Sequence, residues 1–142
     1  MRAALIWVVN LVLVVNGLAM LGFPETWFGF VPSVADTGPF NPHFVRDVGS
    51  AYVVAGGGLI WFWLDKRARP AAVAGAAFLA LHAFVHLWDA ALGRESLVHF
   101  LEDVPVVIVP GLLVFKLARR RPTSGEEKRY AEVVSAAADR RV

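Results

Sequence analysis

The chain has 142 residues, 57% of them hydrophobic, and a formal net charge of only +2 at pH 7. A soluble domain is usually about 45–50% apolar, so this excess, which falls in four long runs, indicates an integral membrane protein rather than a large soluble core. The chain has no cysteine, which excludes disulfides, thiolate metal sites and cysteine nucleophiles. We expect no nucleic-acid partner.

The first predicted span covers residues 3–23, where only Asn10 and Asn16 interrupt the apolar run. The run is longer than the apolar core of a signal peptide, and residues 20–23 (MLGF) form a poor cleavage site, so we expect a span. Residues 24–42 follow, and their four prolines predict a loop. The aromatic residues in this loop favour a position on the bilayer interface.

Three further spans are predicted. The second begins at Asn41 or His43 and ends at Leu64, the third covers residues 71–92 and the fourth covers residues 97–117. Pro105 and Pro110 predict kinks in the fourth span. The pattern predicts an all-α protein, an up-down four-helix membrane bundle of residues 1–118 with a basic cytoplasmic tail of residues 119–142.

Basic residues flank these spans mainly on one side. They precede the first span, lie between the second and third, and follow the fourth: Arg2, then Lys66, Arg67 and Arg69, then Lys116, Arg119, Arg120 and Arg121. The positive-inside rule therefore predicts that both termini are cytoplasmic. We expect a multi-pass protein of a cell membrane, whose first partner is the lipid bilayer.

All four histidines fall in the outer half of the predicted bundle, and acidic residues follow them at helical spacing. Residues three or four apart share a helix face, so three helices bring imidazoles and carboxylates to similar depth. The seven candidate metal ligands are His43, Asp47, His82, His86, Asp89, His99 and Asp103. His82 and His86 lie deepest, because both are within the third predicted span.

A bound metal would explain why so many ionisable groups lie within one half of a bilayer, where such groups are costly unless paired or bound. Imidazole and carboxylate are good ligands for zinc, iron or manganese, and the set could hold one or two ions. If the protein is an enzyme, the metal would activate water or oxygen. Glu102 is then the candidate catalytic residue that moves protons, and the substrate is a lipid or a small apolar molecule.

Other interpretations of the same residues remain open. A b-type haem needs one histidine on each of two facing helices, and His43 or His99 could face His82 or His86. The protein could instead be a non-catalytic accessory subunit, a homo-oligomer or the partner of another membrane protein. Individually, His43 and His99 could lie at headgroup level, and Asp89 could pair with Arg94 or Arg46.

Two short patterns resemble known proteins. The segment of residues 41–49 (NPHFVRDVG) makes the chain resemble small bacterial four-span proteins, which implies the bacterial inner membrane. The His-xxx-His pair of His82 and His86, with separate His and Asp residues, is loosely similar to zinc amide hydrolases of the alkaline ceramidase type. That resemblance covers only a few residues, and those enzymes have seven spans. It implies hydrolysis of a lipid.

Overall fold

The computed structural model describes residues 2–31, 34–94 and 96–118, together with positions 124, 125, 128, 131, 132 and 135. The described residues form helices and turns and contain no strand, so the predicted all-α class is confirmed. Most of the predicted tail lies outside the described residues. The helices are α1 (Arg2–Gly22), α2 (Pro24–Phe30), α3 (Pro42–Leu64), α4 (Arg69–Ala91), α5 (Leu97–Asp103) and α6 (Val109–Ala118).

Two of the described helical segments are long and apolar enough to cross a membrane. They are Pro42–Leu64 and Lys66–Ala91, the second of which includes the 3₁₀ turn that leads into α4. A third is obtained if Trp7–Gly22 and α2 are counted together, although the chain bends by 120° between them. The described part of the chain therefore has two or three candidate spans by length and composition.

The prediction of a loop over residues 24–42 is wrong at its start, because α2 occupies Pro24–Phe30. Pro24 lies in the first turn of α2, where a missing N–H costs nothing. Glu25 lies in the same turn, beside the positive end of the helix dipole. The indole Nε1 of Trp27 donates a hydrogen bond to Asn16 Oδ1 at 2.9 Å, which ties α2 to α1.

The start of α3 is where the sequence predicts it. The side chain of Asn41 accepts hydrogen bonds from the backbone N–H groups of His43 and Phe44, at 3.0 and 3.2 Å, and Pro42 fills the first turn. The helix ends at Leu64, and Asp65 then accepts a hydrogen bond from the backbone N–H of Arg67 at 2.9 Å. These local contacts fix the ends of the helix that carries His43 and Asp47.

Glycines let neighbouring helices approach until their backbones touch. A Cβ added at Gly17 of α1 would lie 2.6 Å from the carbonyl oxygen of Gly49 in α3, and one at Gly75 of α4 would lie 2.8 Å from Ala55 of α3. A Cβ at Gly111 of α6 would lie 2.8 Å from the carbonyl oxygen of Leu79 in α4. Small residues are the usual means of close helix packing in membranes.

The principal contacts between long helices join α1 with α3, α3 with α4, and α4 with α6. Each pair is antiparallel, because residues early in one helix touch residues late in the next. The rings of Trp7 and Trp63 meet at 6.4 Å between centroids, and those of Tyr52 and Phe78 at 5.6 Å. Consequently the start of α3, the end of α4 and the start of α5 lie at one end of the molecule, which we call the histidine end.

A π turn, Val104–Ile108, joins α5 to α6. Pro105 lies within it and Pro110 lies in the first turn of α6, so the predicted irregularity falls at the first of the two prolines. Proline has no N–H to donate to the preceding turn and its ring crowds the carbonyl four residues earlier. The wider turn relieves both problems without breaking the helix.

Replacing Gly75 with alanine should destabilise the protein by about 1–3 kcal/mol, because the new methyl group meets the backbone of Ala55, which cannot rotate away. Gly57 is the matched control: it lies in α3, and a Cβ there meets nothing within 4 Å. Thermal unfolding of detergent-purified variants, followed by circular dichroism, measures both. Equal losses in Gly75→Ala and Gly57→Ala would contradict the packing described here.

Candidate metal centre

The start of α5 places two of the predicted ligands. Ser96 caps this helix, and its hydroxyl oxygen accepts a hydrogen bond from the backbone N–H of His99 at 3.1 Å. Asp103 lies one turn further along the same face. The side chains of His99 and Asp103 are only 8% and 13% exposed, and His99 Nε2 lies 3.5 Å from Asp103 Oδ2.

The neighbouring helix α4 supplies the third group. His86 Nδ1 lies 2.6 Å from Asp103 Oδ2, and the His86 side chain is 20% exposed. An ionised carboxylate can only accept hydrogen bonds, so this contact requires the His86 proton on Nδ1. The Nε2 lone pair of a neutral His86 is then available to bind a cation.

His86, His99 and Asp103 each offer one ligand atom, and these atoms lie within 4.8 Å of one another. Ligands about 2.0–2.1 Å from a tetrahedral ion are separated by about 3.4 Å. The His99–Asp103 separation of 3.5 Å matches that distance. The His86–Asp103 separation of 2.6 Å is instead that of a hydrogen bond.

Two arrangements of these three groups could therefore hold an ion. Asp103 could move away from His86 by less than 1 Å and become a ligand, giving two imidazoles and one carboxylate. Alternatively Asp103 keeps its hydrogen bond to His86 Nδ1 and orients that imidazole so that its Nε2 faces the ion. Carboxylates commonly fix metal-bound histidines in this way.

His82 lies beside this group but is not one of the three. Its ring meets the His86 ring edge-on at 4.8 Å between centroids, stacks on Phe78 at 5.9 Å and lies against Tyr52 at 5.7 Å. Tyr52 and Phe78 thus form an aromatic wall on the side of the site toward the middle of α4. The spacing of histidines and acids in the sequence does not predict this wall, although Tyr52 is an isolated aromatic residue in a segment rich in glycine and alanine.

The remaining predicted site residues lie on exposed surface or in other contacts. His43 and Asp47 face each other at 3.5 Å, with side chains 87% and 63% exposed. Asp89 accepts a hydrogen bond from Arg94 Nη1 at 2.9 Å, one of the two pairings expected for it. Glu102 lies next to Asp103 in α5 and is exposed. For all of these, a role in metal binding or catalysis stays a prediction.

An open groove of about 390 Å³ also lies on α4, lined by Phe84, Val85, Trp88, Asp89 and Arg94. Given about 100° of rotation per residue, Phe84 and Trp88 point to the side of α4 opposite His86, whereas Asp89 lies at the edge of the face that carries His82 and His86. His86, His99 and Asp103 are not among the residues that line the groove.

Comparison of the chain with protein-family models, with curated proteins and with solved structures found no match.

Replacing His86 with alanine should destabilise the protein by about 1–3 kcal/mol, because the largely buried carboxylate of Asp103 loses its hydrogen-bond donor. His43→Ala removes the same side chain at the same end, but from an exposed position, and should change stability by no more than about 0.5 kcal/mol. Thermal unfolding in metal-free detergent buffer compares the two. A larger loss in His43→Ala than in His86→Ala is the result that contradicts this geometry.

Proposed function

We propose that this chain is an integral membrane protein whose His86, His99 and Asp103 hold one divalent transition-metal ion at the histidine end. The observation that carries the proposal is the convergence of three ligand atoms from two helices within 4.8 Å of one another. His99 is buried, and Asp103 and His86 are largely so. Groups of this kind inside a membrane are costly unless they are paired or bind something.

The proposal includes an up-down bundle of four spans. The fourth span would be the continuous helical segment from Leu97 to Ala118, which is long enough for about 30 Å of hydrocarbon. Large apolar side chains on the helix surfaces support contact with lipid, among them Val54, which is 73% exposed, and Leu81, which is 66% exposed. In water these side chains would form extended apolar patches, which soluble monomers avoid.

The tryptophans support the same placement, because indole rings favour the membrane interface. Trp7, Trp61 and Trp63 lie toward the end opposite the histidines, whereas Trp27 and Trp88 lie toward the histidine end. His43 and Trp63 are separated along α3 by about 30 Å, the thickness of the hydrocarbon core. With Lys66, Arg67 and Arg69 beside Trp63, the positive-inside rule puts both termini in the cytoplasm and the histidine end outside.

The ligand types suggest what the site can do. Two histidines and one carboxylate are the protein ligands of many catalytic zinc sites and of mononuclear non-haem iron(II) oxygenases, which keep positions open for water or substrate. A bound ion would supply Lewis acidity at that open position. Glu102, on the exposed side of α5, is the candidate for moving protons. A lipid or a small apolar molecule remains the proposed substrate class.

Two alternatives are less well supported by the same contacts. Haem needs room for its macrocycle between two imidazoles, whereas the carboxylate of Asp103 lies 2.6 Å from His86 and 3.5 Å from His99. A closed, non-catalytic site needs a fourth protein ligand. His82 is the nearest imidazole, and it stacks instead against Phe78.

Metal analysis of the purified protein tests the proposal. After expression with added zinc, iron and manganese, about one equivalent of metal should copurify with the wild type, and His86→Ala and His99→Ala should each lose it. His43→Ala and His82→Ala should retain it, because their side chains lie outside the three-ligand group. An absorption spectrum checks the haem alternative, which requires a Soret band.

Retention of metal by both His86→Ala and His99→Ala would falsify this ligand assignment. Loss of metal in His82→Ala as well would instead indicate a fourth protein ligand, and hence the closed site of an accessory protein. His43→Ala serves as the control for general effects of removing an imidazole.

Labelling of single cysteines tests the orientation, and the chain offers a clean background because it has no cysteine. Thr26→Cys and Ala91→Cys place a thiol at exposed positions of the histidine end, and Arg67→Cys places one at the opposite end. A membrane-impermeant maleimide should label the first two in intact cells and the third only after permeabilisation. The reverse pattern would show that the proposed orientation is inverted.

A further inference from the structure

The turn between α3 and α4, at the end opposite the histidines, concentrates positive charge. We call residues 65–69 the basic turn: Lys66, Arg67 and Arg69 carry three positive charges against the single negative charge of Asp65. The N-terminus of α4 lies in this turn and adds the positive end of its dipole. Ala68, the residue that precedes α4, offers no side chain to cap it.

Arg69 has a buried donor that the described residues leave without an acceptor. Its Nε is almost inaccessible and makes no hydrogen bond to any residue that the structure describes. A buried unsatisfied donor costs about 1–3 kcal/mol, and more for a charged group, so such donors are rare and need a reason. The Arg69 side chain as a whole is only partly buried, so rotation of its guanidinium would bring Nε and a terminal nitrogen, which are parallel donors, against two oxygens of a phosphate.

Lys66 and Asp65 of the basic turn already make contacts with neighbouring residues of the chain. Lys66 Nζ donates to the carbonyl oxygen of Phe62 at 3.3 Å and lies over the rings of Phe62 and Trp63, 4.6 and 4.9 Å from their centroids. Asp65 accepts from the backbone N–H of Arg67. Asp65 therefore does not supply the acceptor that Arg69 Nε lacks.

We propose that the basic turn binds the phosphate of an anionic phospholipid, with Arg69 as the bidentate donor and Lys66 as the neighbouring positive charge. The flanking side chains Trp61 and Leu64 are 58% and 72% exposed, and they provide apolar surface for the acyl chains of the same lipid. Anionic lipids are attracted to basic segments next to a span. The site rests on the proposed membrane placement, but it is independent of the proposed metal.

Native mass spectrometry of the full-length protein in detergent, titrated with single phospholipids, tests this site. One phosphatidylglycerol should bind more tightly than phosphatidylcholine, and Arg69→Gln should weaken phosphatidylglycerol binding about tenfold because a charge-assisted hydrogen bond is lost. Arg69→Lys should weaken it too, since an ammonium group lacks the planar pair of donors. Lys66→Gln should cause a smaller loss, and it keeps the test decisive if Arg69 variants do not fold.

Arg94→Gln is the matched control, because it removes the same charge from the histidine end, where Arg94 is paired with Asp89. It should leave phosphatidylglycerol binding unchanged. Equal losses in Arg69→Gln and Arg94→Gln, or wild-type binding by Arg69→Lys, would overturn the site. Displacement of phosphatidylglycerol by millimolar inorganic phosphate would also overturn it, by assigning the site to a soluble anion.

Flotation with phosphatidylcholine vesicles separates failure of the site from failure of the membrane placement. Protein that floats with these vesicles but binds phosphatidylglycerol and phosphatidylcholine equally well overturns the lipid site alone. Protein that does not float overturns the membrane placement and the lipid site together. Flotation combined with selective phosphatidylglycerol binding supports both.

Discussion

Close approach of helix backbones at glycine is the constraint on which the rest of this structure depends. In the proposed membrane placement, helices gain little from burying apolar surface against one another, so their association relies on close van der Waals packing. Gly17 against Gly49, Gly75 against Ala55, and Gly111 against Leu79 join the helices in succession. The last of these contacts holds α6 on α4, and therefore sets the distance across which His86 reaches Asp103.

The polar cluster lies where this packing meets the end of the helices. His86 and Asp103 are partners across two elements, whereas His99 and Asp103 are partners within one. The inter-helix contact is as short as a strong hydrogen bond allows, so the cluster itself helps to hold α5 against α4. Metal binding, as proposed, would add to a contact that already links the helices.

Local signals in the sequence predicted the boundaries of α3 well, because Asn41 and Pro42 act within a few residues of themselves. The local signals failed for α2. Pro24 and Gly29 predicted a loop, but both residues lie within the seven-residue helix Pro24–Phe30. Spacing along each helix predicted correctly that His99 and Asp103 share a face. Spacing cannot give the rotation of one helix against the next, because that rotation depends on packing.

This limit explains why the spacing did not predict which three of the seven candidate ligands lie within 4.8 Å of one another. His43 and Asp47 satisfy the same spacing as His99 and Asp103, yet their side chains are exposed at the start of α3. His86 and Asp103 are far apart in sequence, so their pairing could be identified only once the relative positions of α4 and α5 were known. Those positions depend on glycine contacts such as that of Gly111 with Leu79, and the sequence does not say which neighbour each glycine meets.

The π turn has a consequence for the length of the last helical segment. From Asp103 to Gly111 an uninterrupted α-helix would rotate about 80° beyond two full turns, so the two residues would face different directions. The extra residue of the π turn removes about 100° of rotation, and both residues contact α4. A regular α-helix one residue shorter would also rotate about 700° between these two residues, about 20° short of two full turns, so it could keep both contacts without the π turn. The facing of these two residues is therefore constrained more tightly than the number of residues between them.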